Sequence, residues 1–311
     1  MDTYLANYDI EIVEVLLDDF DEMSHFLHTS VEILGRVKNL DVIKDHLRDV
    51  DKLVVNGGGY FNNEWTEGRM VKLFKIFTPM LLADQMGIPM VFTGNSLGPF
   101  DLGKAFFTNM FGRMKSLQVA ARDQMYSKIW FDQLATPHEV TFIMDDLLFI
   151  HSDIKTIEPT IKINSDRYIV LEAYPPLEVI QSEIDAIKDF VGEMKRRYDL
   201  DVVFLPLNIG NGGADQGRFL KERIPEMILI DYSDKGYLPI QDAVHILGHA
   251  EMMITSRYHV LVLSIANKVP ILSVMTDGVG DKVYYYNKNG GLIQQVFNGL
   301  KVDKTRLSRT V

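Results

Sequence analysis

The chain has 311 residues, enough for about two domains, with 47% apolar and 24% charged side chains, as in ordinary globular proteins. Acidic residues outnumber basic ones by 43 to 32, and the net charge of −11 argues against nucleic acid as the main partner, although a local basic pocket can still take a small anion. There is no cysteine, which excludes disulfides, cysteine-held zinc and thiol nucleophiles, and no apolar run reaches the roughly 18–20 residues of a membrane span.

The opening MDTYLANYDIEIVEV has no basic segment followed by an apolar one, so no secretory signal is read there and the cytosol is the expected setting. IEIVEVLL, around residues 11–17, reads as a buried strand, and residues 20–37 carry helical periodicity. KLVVNGGG (52–59) is a strand ending in glycines, residues 69–87 a helix closing on Gly87, and IPMVFTGN (88–95) a strand. LQVAARD (117–123) is a strand leading into a helix, and EVTFIMDD (139–146) closes the first half. A polar stretch containing Pro159 follows, and residues 153–166 read as a linker between domains spanning 1–152 and 167–311.

The second half restarts the alternation. YIVLEAY (168–174) is a strand, EVIQSEIDAIKDFVGEMKRRYD one long amphipathic helix, and DVVFLPL (201–207) a strand. MILID, a helix at 239–250, MMITS, a helix from about 259 and PILSV complete it. Short apolar runs without alternation suit parallel strands covered on both faces. The expected fold is α/β, two doubly wound Rossmann-like domains facing a cleft.

In such sheets ligands sit beyond the C-terminal strand ends, and four polar constellations fall there. In NGGGYFNN, Gly57, Gly58 and Gly59 permit close backbone approach to an anion, or simply a tight turn. Asn62 and Asn63 suit a sugar hydroxyl or a turn cap. GNSLGPF (94–100) holds no ionisable group and reads as a wall. In RDQMYS, Asp123 is placed to cap a helix, while Arg122 offers a bidentate fork to a carboxylate or phosphate, or pairs internally with Asp123 or Asp145. In ITSRYH, Ser256 is placed as a helix cap, and Arg257, Tyr258 and His259 fall in the first turn. There the helix dipole and a guanidinium favour an anion, and an imidazole can carry a proton near neutral pH.

Other features weigh less. His245 and His249 have zinc-like spacing but no third ligand, so no metal is expected; His25 and His28 read as solvated. NIGNGGADQGR (208–218) reads as a glycine-rich loop from which Asp215 and Arg218 reach a cleft or solvent. DKVYYYNKNGG (281–291) reads as a packed C-terminal helix with Lys282 or a tyrosine facing the cleft. The mildly basic tail reads as a frayed end, with contact to an anionic surface as the alternative.

GGGYFNN, GNSLGPF, RDQMYS, MDDLLF, SRYHVLVLSIANKVP and GDKVYYY, in this order over about residues 50–290, resemble the polysaccharide pyruvyl transferases. The resemblance implies a two-domain fold like the B-type glycosyltransferases. It also implies transfer of the enolpyruvyl unit of phosphoenolpyruvate onto two hydroxyls of a sugar, giving a pyruvate ketal and phosphate, without a further cofactor. Arg122, Arg257 and His259 match the family's motif residues and are implied to bind the donor and move its protons. Gly57, Gly58, Gly59, Asn62, Ser256, Tyr258, Asp215 and Lys282 are counted as substrate contacts. The family's first strand and its glycine-containing loop are not found, so the chain reads as truncated or divergent there. The implied partners are phosphoenolpyruvate and a glycan or lipid-linked sugar, in the cytoplasm or at the inner membrane surface. The alternatives are a nucleotide-sugar glycosyltransferase, with Asp277 or Asp281 nearest the position of a ribose-binding carboxylate, and an inactive sugar-binding homologue.

Overall fold

A computed structural model describes residues 14–16, 31–33, 40–150, 159–173, 175–207, 213–232, 238–274 and 282–297. Asp277, Asp281, residues 153–158 of the linker and the basic tail lie outside these residues. The described chain clusters into two units. One runs to Asp146 and also takes in Val283–Asn298; the other runs Leu147–Lys282.

In the first unit, β1 (Glu14–Leu16) and β2 (Val31–Ile33) form a small parallel pair. The strand at Val31–Ile33 departs from the helix expected over 20–37; its alternating V-E-I suits a pleated strand as well as a helix turn. The helix α1 (Leu40–Leu47) leads to the parallel sheet β3 (Leu53–Val55), β4 (Met90–Phe92), β5 (Leu117–Ala121), β6 (Val140–Phe142), in that spatial order. Between these strands run α2 (Asn63–Gly68), α3 (Met70–Gln85), α4 (Lys104–Arg113) and α5 (Ser127–Asp132). Helix α3 ends as expected before Gly87, whose φ of +74° suits glycine. Phenylalanine dominates the core: Phe61 and Phe92 stack at 5.3 Å, with Phe77, Phe107 and Phe111 around Phe61.

The second unit has the parallel sheet order β11 (Ile271–Ser273), β10 (Met252–Thr255), β7 (Tyr168–Glu172), β8 (Asp201–Phe204), β9 (Ile228–Leu229). Its strands are apolar on both faces because helices cover both. Tyr168 and Val170 pack with Val244 and Leu247 of α9 (Ile240–Gly248) and Val260 of α10 (Tyr258–Ala266). Ile169 and Val202 pack oppositely with Ile180 of α6 (Leu177–Ser182), Val191 of α7 (Ile184–Tyr198) and Leu220 of α8 (Gly213–Arg223).

Two expectations are corrected here. The single helix over 178–199 is broken at Glu183 (φ −103°, ψ 11°), a break that nothing in the apolar spacing of Ile180, Ile184, Ile187 and Val191 marks. The described part of the 208–218 loop is helical from Gly213, because Gly217 lets α8 lie against the sheet: a Cβ there would sit 2.7 Å from Leu229. The last helix, α11 (Lys282–Val296), returns to the first unit. None of the described helices is long and apolar enough to cross a membrane.

Candidate functional site

In the first unit the loops after β3, β4, β5 and β6 meet at the C-terminal edge of the sheet. Gly57 and Gly94 allow the closest approach. A Cβ on Gly57 would lie 2.9 Å from the Gly94 carbonyl oxygen and from Asp146, and one on Gly94 would lie 2.7 Å from the Met144 carbonyl. The Ser96 amide donates to the Gly58 carbonyl at 2.8 Å, joining the two loops. Gly98, at φ +77°, has no room for a Cβ, which would meet Trp130 at 2.7 Å. The glycines of NGGG and GNSLG thus build the edge itself. Asn62 is fully buried and its amide makes the cap of α2, accepting from the Trp65 amide at 3.2 Å and donating to the Gly59 carbonyl at 2.8 Å.

Arg122 follows β5 and is 5% exposed. Its Nε donates to Ser96 Oγ and its Nη1 to Asp145 Oδ2, both at 2.7 Å. Of its two expected internal partners it takes Asp145. Asp123 caps the next turn, its Oδ1 accepting from the Tyr126 and Ser127 amides. Tyr60 donates its hydroxyl to the Asn56 carbonyl. Burial, then the Asp146 charge, hold its phenol protonated well above the ordinary range, against the pull of Arg122.

In the second unit, Glu172 ends β7 and lies directly across from Thr255, which ends β10. Thr255 Oγ1 donates to Glu172 Oε2 at 2.9 Å and accepts from the Arg257 amide at 2.9 Å. Arg257 Nε donates to Glu172 Oε1. The Glu172 side chain is 1% exposed and that of Arg257 15%. Burial lifts the Glu172 carboxyl above the usual range, with Arg257 and the Thr255 hydroxyl opposing it. Arg257, with extended backbone, occupies the cap position of α10 that was expected for Ser256. Tyr258 and His259 open the helix, Tyr258 buried and His259 exposed. Tyr232, whose hydroxyl donates to the Pro206 carbonyl, lies within electrostatic reach of both Arg257 and Glu172.

Asp215 is exposed on the outer face of α8 and pairs with Arg218 at 2.5 Å. Lys282 is the first residue of α11; its side chain lies outside the described residues. His249 Nδ1 lies 2.8 Å from the His245 carbonyl, and among the described residues no group of three or more acids and histidines is placed to hold a metal. Sequence reasoning passed over Ser96 and Glu172. A lone glutamate in an otherwise apolar strand was the available signal for Glu172; Ser96 carried none.

In fold the chain resembles enzymes of the B-type glycosyltransferase architecture. The UDP-GlcNAc 2-epimerase of Methanocaldococcus jannaschii superposes with a TM-score of 0.55 at 15% identity, covering 92% of this chain and 86% of that one. The Neisseria meningitidis UDP-GlcNAc 2-epimerase bound to UDP-GlcNAc gives 0.53 at 14%, covering 94% and 86%. S. aureus MnaA with UDP gives 0.53 at 14%, covering 93% and 79%. No curated protein matches the sequence. The model of the polysaccharide pyruvyl transferase family matches residues 3–278.

Proposed function

Since the chain belongs to the polysaccharide pyruvyl transferase family, and so is a transferase, we propose that it moves the enolpyruvyl unit of phosphoenolpyruvate onto a glycan or lipid-linked sugar in the cytoplasm. The donor's methylene carbon gains a proton and becomes a methyl group. One sugar hydroxyl bonds to the carbon bearing phosphate, phosphate leaves, and a second hydroxyl closes the ketal. The two hydroxyl protons end on the methyl group and on the phosphate, so the sum balances.

Arg122 and Arg257 are assigned to the donor's charged groups, for which a guanidinium fork is better shaped than an ammonium. Both are already oriented by acceptors on neighbouring strand ends, which lowers the cost of holding them for a ligand. His259 is assigned to proton transfer. The observation that carries the reading is the Glu172–Arg257 pair beside exposed His259, at the strand end where the family motif falls. Of the substrate contacts expected from sequence, Ser256 and Tyr258 flank this pair.

The test is phosphate release from phosphoenolpyruvate with a panel of glycan acceptors. His259→Ala is expected to lower turnover by about 10²–10⁴-fold with donor binding largely kept. Arg257→Ala is expected to weaken donor binding by about 2–5 kcal/mol. Activity equal to wild type in both variants overturns the assignment. Thermal shifts with phosphoenolpyruvate against UDP and UDP-GlcNAc separate this reading from a nucleotide-sugar transferase, because a ligand that binds only the native state stabilises it.

A further inference from the structure

Asp123, Asp145 and Asp146 stand at the C-terminal edge of the first unit's sheet, and the first two are engaged within the protein. Asp123 is buried. It accepts the Tyr126 and Ser127 amides on Oδ1 and the Ser127 hydroxyl on Oδ2, and it lies under α11, where a Cβ on Gly291 would stand 3.2 Å from its carboxyl carbon. Asp145 is buried and bonded to the Arg122 guanidinium at 2.7 Å. Asp146 differs. It is half-buried and takes one hydrogen bond, from the Thr93 hydroxyl to Oδ2 at 2.8 Å; among the described residues nothing donates to its Oδ1.

Asn56, just past β3, is exposed. Its side-chain oxygen accepts from the Gly57 amide at 2.9 Å, and among the described residues its Nδ2 donates to nothing. A Cβ on the same glycine would lie 2.9 Å from Asp146 Oδ2, so amide and carboxylate flank one residue that has no side chain. Tyr60 is half-buried; its hydroxyl is held by the Asn56 carbonyl and its ring lies against Gly58, so a ligand meets the ring and not the hydroxyl. The half-buried Trp65 ring stands 5.9 Å from it. An oxygen that only accepts, an amide that donates and aromatic rings beside them suit a neutral sugar, whose hydroxyls do both and whose C–H face is apolar.

We propose that Asp146 and Asn56 hold the acceptor sugar, Asp146 Oδ1 accepting from a hydroxyl that does not react and Asn56 Nδ2 donating to the same sugar. The inference rests on the transfer reading above. Charge decides which substrate meets Asp146. A carboxylate repels the anionic donor, whose charges are assigned to the arginines, whereas a neutral hydroxyl gives it a charge-assisted hydrogen bond. Thr93 fixes the carboxylate from behind, on the oxygen that the sugar does not use. Asn62, expected to meet a sugar, is committed to the cap of α2, and the contact passes to Asn56.

The probes are the methyl glycosides of glucose, galactose, mannose and N-acetylglucosamine, with the monodeoxy analogues of each one turned over. Phosphate release from phosphoenolpyruvate is the readout. Asp146→Ala is expected to raise the glycoside KM about 10–100-fold, as for loss of a hydrogen bond to a charged group, and to leave phosphoenolpyruvate binding by calorimetry unchanged. Wild type is expected to discriminate by the same factor against one deoxy analogue, and Asp146→Ala to lose that discrimination and keep the others, since hydroxyl and carboxylate removed together cost no more than either alone. Asp146→Asn, which keeps the size and a neutral oxygen, is expected to raise KM less, and carries the same test should the alanine variant not fold. Asn56→Ala is expected to raise KM and to lose discrimination at a contact that Asp146→Ala keeps. A wild-type glycoside KM in both Asp146 variants, discrimination unchanged by Asp146→Ala, or donor binding lost with it, overturns this inference and leaves the donor reading standing. So does a wild type that binds phosphoenolpyruvate and turns over none of the glycosides. A wild type that does not bind phosphoenolpyruvate overturns both.

Discussion

Glu172 and Arg257 make a pair whose members are not equally replaceable. Both are shielded from water, so each without the other is costly, whereas a neutral pair of similar shape is not. Glu172→Ala takes away the carboxylate facing the guanidinium and is expected to cost about 3–5 kcal/mol in urea unfolding. Glu172→Gln keeps a carbonyl acceptor for Nε but turns an NH2 donor towards the Thr255 hydroxyl, which must then accept, and is expected to cost less than Glu172→Ala. If the two variants unfold at the same urea concentration, the charge on Glu172, and not the acceptor or the volume that glutamine keeps, is what holds Arg257. Arg122 is anchored by the same logic with different chemistry, a hydroxyl on Nε and a carboxylate on Nη1.

Among the elements, the strand-end loops of the first unit are set by how closely backbones approach. Gly94→Ala places a methyl group 2.7 Å from a main-chain oxygen that cannot rotate away. It is expected to destabilise by about 1–3 kcal/mol, seen as a lower urea midpoint, while Gly112→Ala on α4, where a Cβ has open space, is expected to leave the midpoint unchanged or raise it. This level also shows what the sequence could disclose. The apolar runs at 53–55, 90–92, 117–121, 168–172, 201–204 and 252–255 read as buried parallel strands, since helices cover both their faces and periodicity is lost in a recognisable way. That Arg122 and Arg257 fall just beyond strand ends, with His259 in the helix turn that follows, was legible from apolar runs that stop at polar residues. For Asn62 the sequence left a sugar contact and a cap both open, since the same amide suits either, and the structure shows the cap. Helix α8 was obscured by glycines that serve close packing instead of a turn.

For the molecule as a whole, acid should unfold the protein through a few held carboxylates. Partial burial works to raise the Asp84 carboxyl, but the Ser116 and Lys115 amides and the Ser116 hydroxyl overcome it and hold the group below 3.8. The Ser165 hydroxyl, opposed by partial burial and helped by Lys195, does the same for Asp201. A carboxyl with a depressed folded pKa stabilises above its unfolded value and loses that contribution as pH falls through the folded one. Urea midpoints between pH 6 and pH 3 are therefore expected to fall less steeply in Asp84→Asn than in wild type. Glu172, raised by burial, acts in the opposite sense, its contribution shrinking as pH rises from 4.5 through its folded value.

Because α11 completes the first unit from beyond the second, that unit stays unfinished while the second is being translated. A ribosome that has read Asp145 has added both members of the Arg122–Asp145 pair, but the helix whose Gly291 meets Asp123 is still about 140 codons from being read. Termination anywhere in the second unit therefore leaves the Arg122 turn without the helix that packs on Asp123, and the first unit is complete only in a chain translated through α11.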